Sequence, residues 1–229
     1  MIEEPALLTV RRPQRRPTQQ QIDAFAGAPT GNIADCMRGR GAMDAVIKPV
    51  TAGPASVCGP ALTCFSYPAD NLGVTAALHF AQTGDVIVCA NDACTSTALV
   101  GDLVCGMMKN AGVIGLVTDG MVRDVEGINS WDFPVFCGGV TPNSPAKTGP
   151  GEVGLPIEMA GRRVETGDLI VADRDGVVVV PFDEIDEVAQ RLARVRKLEA
   201  AAEERIRGGV SQPGGIEELL ASAQTRYVD

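Results

Sequence analysis

The sequence predicts a layered α/β protein, and two observations carry that reading. Continuous apolar runs of strand length, at 86–90, 113–118 and 177–180, alternate with segments whose apolar residues recur at helical spacing. The chain, 229 residues at 23.9 kDa with 45% hydrophobic and 21% charged residues, can also bury a substantial core, which excludes a disordered protein. No run approaches the roughly 18 consecutive apolar residues that a membrane helix needs, so no membrane partner is expected. No GxGxxG leads from a strand into a helix and no GxxxxGK[ST] occurs, so nucleotide-binding folds gain no support.

The elements follow in order. Residues 1–17 combine Pro5, Pro13 and Pro17 with Arg11, Arg12, Arg15 and Arg16, and read as a flexible, solvated arm. Thr18 caps a short helix that reaches Gly27, and Thr30 opens a second carrying Ile33, Ala34 and Met37. Residues 43–67 hold two strands, marked by Val46, Val50, Val57, Leu62 and Phe65. Residues 71–83 form a helix, which places His79 in the core or an interface. A turn at Gly84-Asp85 precedes the strand at 86–90, a polar loop at 91–97 and a helix at 98–110. The strand at 113–118 turns at Asp119-Gly120, and Arg123-Asp124 open a short helix ending near Trp131. A strand at 135–140 and a Gly/Pro-rich loop at 141–154 come next. Gly84-Asp85-Val86-Ile87-Val88 then returns as Gly167-Asp168-Leu169-Ile170-Val171, one turn-and-strand device used twice. The long helix at 183–207 bears the stripe Ile185, Val188, Leu192, Val195 and Leu198, narrow enough to pack along an edge, against another subunit. Its acidic first turn suits the positive end of the helix dipole. The organisation is an arm (1–17), one catalytic domain (18–209) and an extension (210–229).

Twenty basic against twenty-nine acidic side chains leave a net charge of −9, which repels phosphate backbones and argues against nucleic acid. Seven cysteines, an odd count without a CxxC pair or a cleavable signal sequence, point to a reducing cytoplasm. With one histidine, any metal must be held by carboxylates and water, which favours Mg2+ or Mn2+. The chemistry concentrates between residues 91 and 126. Neighbouring strands end on one sheet edge, which can bring Asp102 near Arg123 and Asp124. Backbone N–H groups of Gly101, Leu103 and Val104 at a helix start suit a substrate carboxylate. An arginine fork matches a keto acid, and a second carboxylate can orient a water. At this level a common Gly-Asp turn and a surface Arg-Asp ion pair remain the plainer readings of these residues.

The string Gly112-Val113-Ile114-Gly115-Leu116-Val117-Thr118-Asp119-Gly120-Met121-Val122-Arg123-Asp124 resembles the signature of the regulator-of-ribonuclease-activity-A-like family. That family also contains the 4-hydroxy-4-methyl-2-oxoglutarate / 4-carboxy-4-hydroxy-2-oxoadipate aldolases. The likeness continues in Gly167-Asp168-Leu169-Ile170-Val171-Ala172-Asp173 and Asp175-Gly176-Val177-Val178-Val179-Val180-Pro181, and spans about 34–209. Aldolase-competent members carry an acidic residue, twenty intervening residues, then Arg-Asp. Here Asp102, the twenty residues 103–122 and Arg123-Asp124 reproduce that spacing. The resemblance implies a single-domain β/β/α swivelling fold, assembled as a homotrimer or a hexamer (a dimer of trimers) with the site between subunits. It implies Asp124 as direct ligand of the divalent metal, with Asp102 acting through water. Glu199 of a neighbouring subunit would also act through water, Glu203 and Glu204 being close alternatives. Arg123 would hold the keto-acid end of a small 2-oxo acid substrate, and the 101–104 backbone its carboxylate. The implied activity is a class II aldolase releasing pyruvate from 4-hydroxy-4-methyl-2-oxoglutarate or a related 4-hydroxy-2-oxo acid. Oxaloacetate decarboxylase activity would follow from the shared pyruvate enolate. The alternative is a non-catalytic regulator that binds and inhibits an RNA-degrading enzyme.

Overall fold

A computed structural model describes residues 6–53 and 55–228, so Pro5 of the predicted arm lies outside the described residues. The chain divides into two compact units, Met1–Leu192 and Ala193–Asp229, and every strand named below belongs to the first. The elements begin with β1 (Leu8–Val10), α1 (Gln19–Phe25), α2 (Thr30–Cys36), β2 (Lys48–Pro49) and β3 (Val57–Ser66). Next come α3 (Leu72–Ala77), β4 (Val86–Ala90), β5 (Ala98–Val100), α4 (Asp102–Asn110), β6 (Gly115–Thr118), β7 (Met121–Val122) and α5 (Val125–Ser130). Then follow β8 (Val135–Cys137), β9 (Gly139–Val140), β10 (Gly151–Val153), β11 (Ile157–Met159) and β12 (Arg162–Val164). The last are β13 (Leu169–Asp173), β14 (Gly176–Val180), α6 (Ile185–Arg207) and α7 (Ile216–Leu220). No helix among the described residues is long and apolar enough to cross a membrane.

The main sheet runs β1-β10-β3-β4-β6-β8-β2, with β13 bridging β3 and β14. Its centre, β3-β4-β6-β8, is parallel. Leu62, Ile87, Leu116 and Val135 point to one core, shared with Val74 of α3, Met108 of α4 and Ile128 of α5. Ala61, Val86, Val117 and Phe136 point to the other, shared with Ile157 of β11, Ile170 of β13 and Val179 of β14. Burial on both faces explains why these strands read as unbroken apolar runs. The fold is mixed α/β, with helices covering one face of the central strands and further strands covering the other.

Three of the parallel strands continue into a second sheet. β4 leads to β5, β6 to β7 and β8 to β9, and β5-β7-β9 are again parallel. This small sheet corrects two predicted elements. The helix expected at 98–110 begins only at Asp102: Ala98 and Val100 pair with β7, and Gly101 is extended (φ −127°, ψ −167°). The strand expected at 135–140 is two strands in different sheets, on either side of Gly138. The loop at 141–154 includes β10, paired to β3. The helix from 71 is shorter than predicted, so His79 lies past its end, exposed and edge-on to Phe80 at 5.3 Å, not in the core.

The arginine-rich stretch also departs from a solvated arm. β1 pairs in parallel with β10, and Arg15 and Arg16 are ion-paired. Their partners are the aspartates of the twice-used turn. Asp85 Oδ2 accepts from the Gln82 N–H and Asp168 Oδ2 from the Glu165 N–H, each at 2.8 Å. Asp85 Oδ1 then pairs with Arg16, and Asp168 Oδ1 with Arg15 at 3.6 Å. Both aspartates are 4% exposed, and burial pushes both carboxyls up despite these partners. The resulting strands flank β3, with β4 parallel to it and β13 antiparallel.

α2 begins without a cap from its own N-cap residue, Pro29. Asp173, at the end of β13, supplies one. Its carboxylate accepts from the Thr30 N–H at 2.8 Å and the Thr30 hydroxyl at 2.7 Å. Burial opposes the charged form, but these bonds and those from the Asp175 and Gly176 N–H groups outweigh it and hold the carboxyl below its usual range. Asp173→Ala is expected to lower stability by about 1–2 kcal/mol in urea unfolding at neutral pH. A depressed folded pKa stabilises above the unfolded value and loses that contribution below about pH 4, so the difference between wild type and variant should shrink there. A difference independent of pH would remove Asp173 as the cap.

In α6, Ile185, Val188 and Leu192 of the predicted stripe are buried. In the second unit none of the described residues is buried, and Leu198 is 71% exposed.

Candidate active site

Because β5 and β7 lie side by side, the residues that follow them meet. The Arg123 N–H donates to the Val100 carbonyl at 3.1 Å, which sets Arg123-Asp124 beside Gly101-Asp102. A cleft of about 310 Å³ opens there, lined by Gly101, Asp102, Leu103, Val104, Met107, Arg123 and Asp124. Two other segments complete it, one bringing Asn71 and the other Ser144, Pro145 and Lys147.

Two glycines allow the carboxylates their positions. A Cβ on Gly101 would stand 2.4 Å from Asp124 Oδ2 and 3.2 Å from Arg123 Nε. A Cβ on Gly127 of α5 would stand 2.5 Å from Asp102 Oδ2. Each carboxylate therefore rests against bare backbone. Asp124 heads α5 in the left-handed region (φ 57°, ψ 45°), which aspartate visits more readily than most residues. Its carbonyl accepts the Ile128 N–H at 2.9 Å, so the turn of helix fixes that backbone.

Arg123 Nε lies 3.2 Å from Asp124 Oδ2, close enough for an ion pair but misaligned for a hydrogen bond. Its Nη1 donates to the Ser144 hydroxyl. The two side chains remain 35% and 45% exposed, open to a ligand entering the cleft. Asp102 Oδ1 accepts from the N–H of its neighbour Leu103 at 2.7 Å. That bond engages one of the three N–H groups expected to meet a substrate carboxylate, so Leu103 donates to a ligand only once Asp102 turns away. Gly101 and Val104 flank it at the start of α4, where a helix leaves N–H groups without intrahelical partners.

The donor set is selective. Asp102 and Asp124 are the carboxylates that line the cleft. Among the described residues no group of three or more His, Cys, Asp and Glu is placed to hold a metal. One or two carboxylates suit a hard dication that keeps part of its water, and do not suit an ion needing histidine or thiolate. Thiol chemistry is disfavoured beside the cleft: burial and the Asp102 charge push Cys105 of α4 up to about 12, keeping it protonated. Glu199, Glu203 and Glu204 belong to the second unit, whereas the cleft is lined by the first alone.

Sequence reasoning missed Asn71, Ser144 and Lys147. Asn71 is 4% exposed with its side-chain oxygen unpartnered, a fact with no sequence signal. Lys147 had a faint one, as the sole basic residue of the 141–154 loop.

Comparison with known proteins bears on this geometry. The family model described as RraA-like, Aldolase/RraA, matches residues 30–179. A protein of Halalkalibacterium halodurans, provisionally named a 4-hydroxy-4-methyl-2-oxoglutarate aldolase, is 37% identical over 84% of this chain and 93% of its own. Among solved structures, the RNA-processing inhibitor RraA of Thermus thermophilis superposes with a TM-score of 0.62 at 29% identity, over 67% of this chain and 93% of that one. The Streptomyces coelicolor RraAS2, titled an unusual member of the RNase ES inhibitor RraA family, gives 0.74 at 25% identity, over 83% of this chain and 100% of that one. With two-thirds of its length inside the family model and a relative at this identity along most of the chain, this protein belongs to the RraA-like, Aldolase/RraA family.

Proposed function

We propose that this chain is a divalent-metal-dependent aldolase that cleaves 4-hydroxy-4-methyl-2-oxoglutarate, or a related 4-hydroxy-2-oxo acid, to pyruvate. The observation that carries the reading is the meeting of Asp102, Arg123 and Asp124 with the start of α4 in one cleft. Asp124 would hold Mg2+ or Mn2+ directly, and Asp102, with Glu199 of a neighbouring copy, through water. When bound, the ion supplies several kcal/mol of stabilisation to negative charge developing on the substrate's 2-oxo oxygen. Arg123 orients the keto-acid end and shares that charge through its fork. N–H groups at the start of α4 donate to the C1 carboxylate. Asp102 draws the proton from the 4-hydroxyl by way of an ordered water, the C3–C4 bond breaks, its electrons pass into the pyruvate enolate, and the same water returns the proton to C3 to give pyruvate. Lys147 offers a cation to a carboxylate at the substrate's far end. Decarboxylation of oxaloacetate yields the same enolate and is the expected side activity. The proposed assembly is a homotrimer or hexamer, and Leu103 and Met107 at the cleft, 70% and 56% exposed, are apolar surface that a neighbouring copy would cover. The cysteines, all free among the described residues, suit a cytoplasmic setting.

The test is a pyruvate-coupled assay on the purified protein. Activity should vanish in chelator and return with Mg2+ or Mn2+; full activity in chelator would remove the ion from the reading. A second reading, a protein that binds and inhibits an RNA-degrading enzyme, is favoured by one structural neighbour named as an inhibitor and a second named as an unusual member of an inhibitor family. Direct capture of the ribonuclease by a chain that releases no pyruvate from oxaloacetate would establish it instead.

A further inference from the structure

The wall of the cleft that carries Ser144 and Lys147 is held from behind by one buried carboxylate. Asp70 is 3% exposed and does not itself line the cleft. Its Oδ1 accepts from the Leu72 N–H at 2.7 Å, at the start of α3. Its Oδ2 accepts from the Thr148 N–H at 2.6 Å and the Gly149 N–H at 3.0 Å, seventy-eight and seventy-nine residues along the chain. The backbone repeats the join on either side. The Ala146 N–H donates to the Ala69 carbonyl at 2.7 Å, and the Asn71 N–H to the Ala146 carbonyl at 3.1 Å. Burial alone would raise the Asp70 carboxyl, but the bonds from Leu72, Thr148 and Gly149 hold it below the usual range. Both of its oxygens serve only donors, which a carboxylate can do and an amide cannot.

We propose that Asp70 is a positioning residue of the cleft: by joining the start of α3 to Thr148 and Gly149, it fixes the 144–148 segment so that Ser144 meets Arg123 and Lys147 stands at the wall. In Asp70→Asn one acceptor oxygen becomes a donor facing N–H groups, so either the helix start or the segment must give way. The segment is the side expected to move, since it carries no helix to hold it.

Two measurements on the full chain test this. Hydrogen exchange needs no substrate: in Asp70→Asn the Thr148 and Gly149 amides should exchange at least about tenfold faster while β4 and β6 keep their protection. Unchanged exchange at these two amides overturns the proposal. Should the variant lose protection throughout, Asp70→Ser, which keeps an acceptor for Leu72 and loses reach to the segment, is read the same way. The second measurement rests on the proposed aldolase reaction. Asp70→Asn should lower kcat/KM by about tenfold in the native background but by less than about threefold in the Ser144→Ala/Lys147→Ala background, because that background already lacks both side chains the segment presents. Equal losses in both backgrounds overturn the positioning role. If the native protein cleaves no 2-oxo acid, the reaction fails separately, and exchange at Thr148 and Gly149 alone decides the proposal.

Discussion

Arg123→Lys should abolish most pyruvate formation, a loss of about 10²–10³ in kcat, or roughly 2.7–4 kcal/mol, with thermal stability close to that of the native protein. The reason is geometric. The guanidinium bonds Ser144 through Nη1, faces Asp124 through Nε, and still lines the cleft. A lysine ammonium is a point charge on a flexible stem and cannot bond an acceptor at the wall and a substrate oxygen in one plane while its charge stays beside Asp124. The side chain is more than a third exposed, so its contacts contribute little to folding, which separates the catalytic loss from destabilisation. Losing the charge distribution where negative charge develops should fall on kcat; a change confined to KM would make Arg123 a binding group only. Native kinetics in Arg123→Lys would remove it from the site.

The parts of the structure legible in sequence are those whose cause is local. β4 has its predicted limits because each of its residues is buried and no turn residue interrupts it. The approach of Asp102 to Arg123 and Asp124 was readable because two consecutive parallel strands end in turns, and strand ends share an edge. The small sheet was not readable. β5, β7 and β9 have two or three residues each, too few for a period, and form only because the strands beneath them align. The far wall was hidden for another reason. Ser144 meets Arg123, and Asp70 meets Thr148, across separations that composition and spacing cannot register. Arg15 and Arg16 show the same limit: a cluster of arginines looks like a solvated run until Asp168 and Asp85, buried on distant turns, are seen to need them.

Gly101→Ala should be nearly as damaging as the loss of Arg123, through a single methyl group. The Gly101 backbone is extended, a conformation alanine adopts without strain, so the effect isolates the contact. The added Cβ would fall 2.4 Å from Asp124 Oδ2 and 3.1 Å from Arg123 Cγ, and one of these must move. Asp124 is the freer of the two, because Ser144 holds the arginine at its far end. Turning the carboxylate away should weaken activation by Mg2+ by at least about 10–100-fold, the range for losing a group that merely orients a ligand, and lower kcat/KM at saturating metal as well. The cost in stability should stay below about 1 kcal/mol, under the range for overfilling a core, because a carboxylate 45% exposed can turn aside. Gly31→Ala is the control. Gly31 lies within α2 with no atom near its would-be Cβ, so alanine there should raise stability by about 0.5–1 kcal/mol and leave activity and metal response unchanged. A Gly101→Ala protein with native metal dependence would mean that the Asp124 oxygen beside Gly101 holds no ion, and Asp102 would then be the carboxylate left to bind one.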